Sequence, residues 1–143
     1  FWSVRMRPAK PLAFGAIKNQ TGRMVPHIGL PGNPVSALVA FEQFCRPAIL
    51  KMLGRTKFTK PTVTAILSGK IINYDGRRVY ARVVVGKTEE NYYAVPTGPQ
   101  GSNILTSVSR ANGLAICPQD VPEINVGQTV IVQMLDWPEQ VEV

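Results

Sequence analysis

GLPGNPVS, at residues 29–36, is the stretch that decides the fold of this chain, because it predicts a turn from a strand into a helix. Asn33 is a favourable N-cap, and Pro34 suits the first helical position, where its missing N–H is not needed. Two glycines allow close backbone approach, and a helix start offers unpaired N–H groups to an anion. A turn without any ligand would have the same pattern. The spacing fits neither a Walker A loop nor GxGxxG, which excludes nucleotide binding by those motifs.

Strand-like segments precede this turn, and a helix follows it. Alternating or apolar residues predict strands over residues 1–7, 12–17 and 24–30. The helix presents a wide apolar surface up to Gly54, which stands where a left-handed residue ends a helix. Pro47 lies inside the helical pattern and predicts a kink or a break into two helices. Together these elements form one α/β unit.

A change of hydrophobic period near residue 58 indicates a second domain. We expect strands over residues 62–71, 78–86, 92–97, 104–107, 113–117 and 129–135, with turns between them at 73–76, 98–101 and 118–127, and no helix. Short strands with Gly- and Pro-containing turns are typical of a small β-barrel or sandwich. The predicted fold is therefore α/β plus all-β, with domains at residues 1–57 and 58–143. The acidic tail after Trp137 is expected to be loose.

Composition narrows the class of protein further. Hydrophobic residues make up 45% and charged residues 17% of the chain, as in a globular protein. Cys45 and Cys117 belong to no CxxC pair or zinc-ligand spacing, which favours reduced thiols and a cytoplasmic protein. No apolar run approaches the ~20 residues that cross a bilayer, and no signal peptide is recognisable, so we expect no membrane association.

Positive charge is concentrated in the first part of the chain. Residues 1–57 hold nine Lys and Arg against Glu42 alone, whereas residues 58–143 hold seven basic and eight acidic residues. A basic segment attracts phosphates, oxyanions or nucleic acid, although a solvated basic face is an equally ordinary explanation. The corner Arg7-Pro8-Ala9-Lys10-Pro11 places two cations around a rigid turn, where they could hold an oxyanion or lie on the surface.

Four motifs carry a resemblance to a known family. They are GLPGNPVSA at 29–37, RPAKPLAFG at 7–15, TGPQGS at 97–102 and SRANGL at 109–114. In this order they resemble the molybdopterin molybdenumtransferases, which include bacterial MoeA and the E domain of gephyrin. The resemblance implies a four-domain homodimer. This chain would be the C-terminal remnant of its molybdopterin-binding α/β domain, followed by its small β-barrel.

The resemblance also implies an activity and a set of site residues. The family inserts molybdate into adenylylated molybdopterin with the help of magnesium, whose ligands we expect upstream of this chain. Lys10 and Arg7 would be the catalytic cations, holding phosphate or molybdate oxygens. The remaining positions carried over for cofactor binding are Pro11, Gly29, Pro31, Gly32, Asn33, Pro34 and Ser36, with weaker carry-overs at Arg82, Gln100 and Ser102. No metal ligand is expected here, and the isolated 143 residues are expected to be inactive.

One departure from the family pattern and two rival hypotheses remain. Ala9 stands where many members have glycine, which should stiffen the corner.

The chain could instead be a basic nucleic-acid-binding module, but its tyrosines fall mainly in the near-neutral second part, so we expect no nucleic acid. A gephyrin-like scaffold holding a peptide between the two segments is the third possibility. The sequence does not distinguish molybdenum from tungsten.

Overall fold

The computed structural model describes residues 2–141. Its first part is an antiparallel three-stranded sheet in the order β1-β3-β4. The strands of this part are β1 (Trp2–Ser3), β2 (Met6–Arg7), β3 (Pro11–Lys18) and β4 (Met24–Gly29). The predicted strands over 12–17 and 24–30 are thus confirmed. The single strand expected over 1–7 is wrong, because the chain bends between β1 and β2 and β2 joins another sheet.

The helix after the turn has three parts. They are α1 (Pro34–Ala40), a π-helical segment (Phe41–Cys45) and α2 (Arg46–Met52). Because Pro47 has no N–H, the hydrogen-bonding ladder must change before it, and the Arg46 N–H bonds to the Phe41 carbonyl five residues back. The kink or break predicted near Pro47 takes the form of this π-helical segment, and the helix continues through it without a gap. Gly54 has φ +75°, and the Arg55 N–H bonds to the Leu50 carbonyl at 3.0 Å, as in a Schellman motif.

The second part is a closed five-stranded barrel in the order β7-β8-β5-β11-β9, with β9 returning to β7. Its strands are β5 (Thr62–Leu67), β7 (Arg78–Lys87), β8 (Tyr92–Pro96), β9 (Gly113–Cys117) and β11 (Thr129–Met134). Small and β-branched side chains such as Ala81, Val83 and Val132 fill the interior and are fully buried. The predicted α/β plus all-β class and the barrel are confirmed.

Two expectations for the second part are wrong. The strand expected over 104–107 is a helical turn, α3 (Thr106–Ser109), in which the Ser107 N–H bonds to the Ile104 carbonyl at 3.1 Å. A segment of four residues is too short to distinguish a strand from a helix by period alone, and no barrel strand pairs with this one. The strand expected over 62–71 ends at Leu67, and a separate ribbon follows. It consists of β6 (Ile71–Ile72) and β10 (Glu123–Ile124), the latter inside the segment expected to be a turn.

The two parts of the chain share a core. Strand β2 pairs in parallel with β7, so that Arg7 lies opposite Val79. A cluster of buried residues joins the corner, the helix and the barrel wall: Met6, Ala9, Val39, Ala40, Tyr80 and Leu114. This packing holds residues 7–11 against the barrel, and it positions the candidate site.

The tail is anchored rather than loose up to the last described residues. Glu139 is only 8% exposed, and its carboxylate accepts a hydrogen bond from Arg46 Nε at 2.5 Å. Trp137 packs edge-on against Tyr92 with 6.2 Å between ring centroids. The expectation of a loose tail is wrong, because the Glu139 carboxylate is bonded to Arg46 of the helix and the Trp137 ring packs on Tyr92 of the barrel. Within residues 2–141, no helix has the length and apolar character needed to cross a membrane.

Candidate functional site

A cavity of about 620 Å³ lies between the proline corner and the barrel. Such a volume is in the range of small-molecule sites in proteins. Its walls come from the corner, one helix residue, strands β6 and β7 with the loop between them, and the loop after β8. The lining residues are Arg7, Pro8, Ala9, Lys10, Pro11, Ser36, Lys70, Ile71, Ile72, Tyr74, Arg77, Val79, Ala81, Arg82, Gln100, Gly101 and Ser102.

Backbone contacts fix the corner above the cavity. The Val4 N–H bonds to the Lys10 carbonyl at 2.8 Å and closes the corner on itself. The Arg7–Pro8 peptide is cis, and Ala9 has φ +76°, in the region that favours glycine. Ala9, which we expect to stiffen this corner, therefore has a sterically unfavourable backbone conformation. The result is that Arg7 and Lys10 both face the same cavity.

Arg7 is held in place by the barrel. Its Nη2 donates to the Ile72 carbonyl at 2.5 Å, and its guanidinium carbon lies 4.9 Å from the centroid of the Tyr74 ring. Neither contact is with a carboxylate, so the positive charge of Arg7 has no ion-pair partner in these contacts. The exposed Lys10, like Arg7, forms no ion pair with Asp or Glu within residues 2–141. These two cations are free to contact an anion.

Arg82 is the buried cation of the site, with only 1% of its surface exposed. Its guanidinium donates to two neutral acceptors, from Nε to Ser107 Oγ at 3.1 Å and from Nη2 to the Gly101 carbonyl at 3.2 Å. No carboxylate of residues 2–141 pairs with it. Burial, and then the charge of Arg7, lowers the pKa of Arg82 to about 10, so it stays protonated at neutral pH. A buried cation without a counterion makes the cavity strongly attractive to an anion.

Gln100 has a structural role in this arrangement. Its Oε1 accepts from the Arg82 N–H at 2.7 Å, and its Nε2 donates to the Arg82 and Gly98 carbonyls at 3.1 and 2.9 Å. These bonds attach the loop after β8 to β7 and occupy both polar atoms of the side chain. Ser102, on the same loop, lines the cavity with its hydroxyl group bonded to Asn33 Nδ2 at 3.2 Å.

The helix-start loop is only partly at the cavity. Of its predicted site residues, Ser36 lines the cavity, whereas Gly29, Pro31, Gly32, Asn33 and Pro34 do not. The expected N-cap bond of Asn33 is absent: the side chain reaches to Ser102 instead, and its Oδ1 is buried without a hydrogen-bond partner. A Cβ on Gly29 would lie 2.9 Å from Ala13 Cβ, so this glycine serves the packing of β4 on β3.

The sequence analysis missed several lining residues from the second part of the chain, and the charged or aromatic ones among them are Lys70, Tyr74 and Arg77. Lys70 Nζ lies 2.6 Å from Glu123 Oε2, and Arg77 is bonded to Asp75. The hydrogen bond from Arg77 holds the pKa of Asp75 below its usual value. No spacing rule brings residues 70–77 next to residues 7–11, since the contact depends on the parallel pairing of β2 with β7. Their Gly- and Asp-containing turn was the one available signal.

Comparison with known proteins gives two family models that match this chain. One, described as the MoeA C-terminal region (domain IV), matches residues 64–135, and a probable molybdopterin binding domain matches residues 1–51. The molybdopterin molybdenumtransferase of Haemophilus influenzae is 33% identical over 135 residues, 93% of this chain and 32% of that protein. Molybdopterin molybdenumtransferase 2 of Mycobacterium tuberculosis is 33% identical over 127 residues, 89% of this chain and 30% of that protein.

A solved structure gives the same result for the fold. The molybdopterin biosynthesis moeA protein from Pyrococcus horikoshii matches with a TM-score of 0.71 at 25% identity, over 94% of this chain and 32% of that chain. An α/β segment that matches a molybdopterin binding domain, followed by a closed barrel that matches the MoeA C-terminal region, places the chain among the molybdenum cofactor biosynthesis proteins. The chain belongs to the MoeA family of molybdopterin molybdenumtransferases. It spans about a third of the length of the curated relatives it matches.

The residues present do not fit a divalent cation. Among residues 2–141, no group of three or more His, Cys, Asp or Glu side chains is placed to hold a metal ion. The cavity lining contains five cationic side chains and no carboxylate. We therefore derive no step through magnesium from this part of the protein.

Proposed function

We propose that this chain takes part in molybdate insertion into adenylylated molybdopterin, and that its cavity binds an oxyanion of that reaction. The oxyanion is molybdate itself or a phosphate group of the nucleotide. The observation that carries the proposal is the buried guanidinium of Arg82, which has neutral acceptors and no carboxylate partner. An oxyanion in the cavity would supply the missing negative charge.

The proposal gives each side chain a role in binding and orientation. Arg82 would donate to the oxyanion from the barrel wall, and Arg7 and Lys10 from the corner. Ser36 and Ser102 would add hydroxyl donors, with Pro11 shaping the wall beside them. The remaining residues of the helix-start loop lie outside the cavity and would act indirectly, Asn33 by its hydrogen bond to Ser102 and the others by holding Ser36 in position. The lining residues would thus bind and orient the anion, and no carboxylate or imidazole is among them.

We extend the proposal to the whole enzyme along the lines that the relatives suggest. The division at residues 57 and 58 is supported by the two matched ranges, 1–51 and 64–135. We propose a cytoplasmic homodimer in which residues outside 2–141 hold magnesium. We also propose that the 143 residues alone bind the oxyanion without inserting molybdenum, so a binding experiment is the appropriate test.

Calorimetric titration of the 143-residue chain with sodium molybdate tests the proposal. We expect saturable binding that weakens roughly tenfold or more in Arg82→Met and in Lys10→Ala, since a charge-assisted hydrogen bond contributes about 1.5–3 kcal/mol. Lys18→Ala, at the far end of β3 and outside the cavity, is the matched control for net charge. Absence of binding, or equal weakening in the Lys18 control, would contradict a specific site.

A further inference from the structure

The cavity has two ends of different character. At one end, the buried Arg82 lies without a counterion, and the half-buried Arg7 and the exposed Lys10 add charge that no ion pair neutralises. At the exposed end, Lys70 and Arg77 are neutralised by Glu123 and Asp75. A single small oxyanion would occupy only the first end of a cavity of about 620 Å³.

The exposed end also carries apolar surface. Tyr74 is 79% exposed and Ile72 is 41% exposed, and both line the cavity. Exposed aromatic rings at the mouth of a cavity bury a large area when a flat molecule packs on them. The Arg7 guanidinium lies over one face of the Tyr74 ring, and because the residue is 79% exposed, the rest of the ring remains accessible for such a contact.

Arg7 connects the two ends. Its guanidinium lies over the Tyr74 ring at 4.9 Å and is pinned by the Ile72 carbonyl, while its charge remains unpaired. A ligand with an anionic group beside a flat ring would contact the cation with the first and the tyrosine with the second. The arrangement of one cation and one aromatic ring is common where phosphorylated ring compounds bind.

We infer that Tyr74, supported by Ile72, stacks on the planar nitrogen heterocycle of the substrate while Arg82, Arg7 and Lys10 hold its phosphate or an adjacent oxyanion. The inference deepens the proposed function and rests on it. Both a purine and a pterin have the required flat ring. The barrel thereby selects the ring-bearing substrate, in addition to providing charge.

Titration of the 143-residue chain with pairs of probes tests the inference. Adenosine monophosphate is compared with ribose 5-phosphate, which lacks the ring, and neopterin monophosphate with inorganic phosphate. We expect at least one ring-bearing probe to bind roughly fivefold or more tightly than its ringless partner, as stacking on an aromatic side chain provides. The probe that shows the gain identifies the purine or the pterin as the ring bound by Tyr74.

Variants separate stacking from other effects. In Tyr74→Ala, the ring-bearing probe should no longer bind more tightly than its ringless partner, and the affinity for the ringless probe should be unchanged. In Tyr74→Phe, the affinities for both probes should be unchanged. Trp2→Ala, an aromatic residue 65% exposed and outside this cavity, is the matched control and should change neither. Equal affinities within both probe pairs, or an unchanged gain in Tyr74→Ala, would overturn the inference and leave the oxyanion site standing. Failure of every phosphate probe and of molybdate to bind would overturn the proposed function as well.

Discussion

The buried charge of Arg82 lowers the stability of the fold, and the same charge is available to bind an anion. Burying a charge without a carboxylate is unfavourable, and the depressed pKa of about 10 expresses that cost. The cost is present at every pH below about 10. It is relieved as the pH rises from there toward the ordinary pKa of arginine, because the folded protein then holds a neutral side chain.

Replacing Arg82 by methionine should therefore stabilise the protein at pH 7. We expect a gain of about 1–2 kcal/mol, less than the full cost because Ser107 Oγ and the Gly101 carbonyl lose their donor. Thermal melting followed by circular dichroism measures it. The difference in melting temperature between the variant and the wild type should shrink above pH 10. A lower melting temperature for the variant at pH 7 would contradict this account.

Ala9 is a second residue whose backbone decides the outcome of substitution. Its φ of +76° disfavours any side chain, yet its methyl group is 95% buried in the shared core. Ala9→Gly relieves about 1 kcal/mol of strain and removes about 0.8 kcal/mol of burial, so the free energy of unfolding should stay nearly unchanged. Ala9→Val should lower it by about 2 kcal/mol or more. Urea unfolding measures both, and a well-tolerated valine would show that the corner adjusts.

Among the elements, the helix and the tail meet in a cluster of charges: Glu42, Arg46, Lys60 and Glu139. The two carboxylates differ in environment. Glu139 accepts the Arg46 hydrogen bond, which lowers its pKa. Burial raises the pKa of Glu42, and one of its oxygens has no hydrogen-bond partner. Their charges should have opposite effects on stability.

Two single substitutions test this difference. At pH 7, Glu139→Gln should lower the melting temperature by roughly 3–10 °C, because a charge-assisted bond is worth about 1.5–3 kcal/mol. Glu42→Gln should raise it slightly, since an ionised carboxylate no longer has to be buried. The stability due to Glu139 is present above its ordinary pKa and is lost as the pH falls through its lowered one. Equal effects of the two substitutions would show that the cluster acts as one unit.

The same elements show what the sequence could predict. Alternation and turn residues located β3, β4 and β9 closely, and Pro47 and Gly54 marked the break and the end of the helix. Alternation failed at α3, where four residues are too few to show a period. The corner cations were identifiable from local sequence. Lys70, Tyr74 and Arg77 were not, because their place at the cavity depends on strand pairing between distant segments.

At the scale of the whole molecule, charge segregation along the chain predicted only part of the site. The basic first segment supplies Arg7 and Lys10, but the near-neutral barrel supplies Lys70, Arg77 and Arg82. The cavity therefore needs both segments, and their relative position rests on the shared core and on the pairing of β2 with β7.

The shared core predicts that the chain unfolds as one unit. The helical signal at 222 nm and the fluorescence of Trp137, which packs on the barrel and is measured in a Trp2→Phe background, should change at the same temperature. Val39→Ala, in the helix side of the core, should lower both midpoints together by roughly 5 °C or more. Two separate transitions in the wild-type chain would mean that the segments are coupled weakly.

Closure of the barrel also determines which strands can pair with a strand of another molecule. Each barrel strand has neighbours on both sides, so its backbone hydrogen bonds are largely satisfied. Strand β4, by contrast, has β3 as its one neighbour within residues 2–141, and β3 pairs with β1 only at Pro11 and Leu12, so both outer edges of this hairpin present unpaired backbone groups. Ordered aggregation or intermolecular strand exchange of the 143-residue chain should therefore start at the β3–β4 hairpin, residues 11–29, and leave the barrel intact.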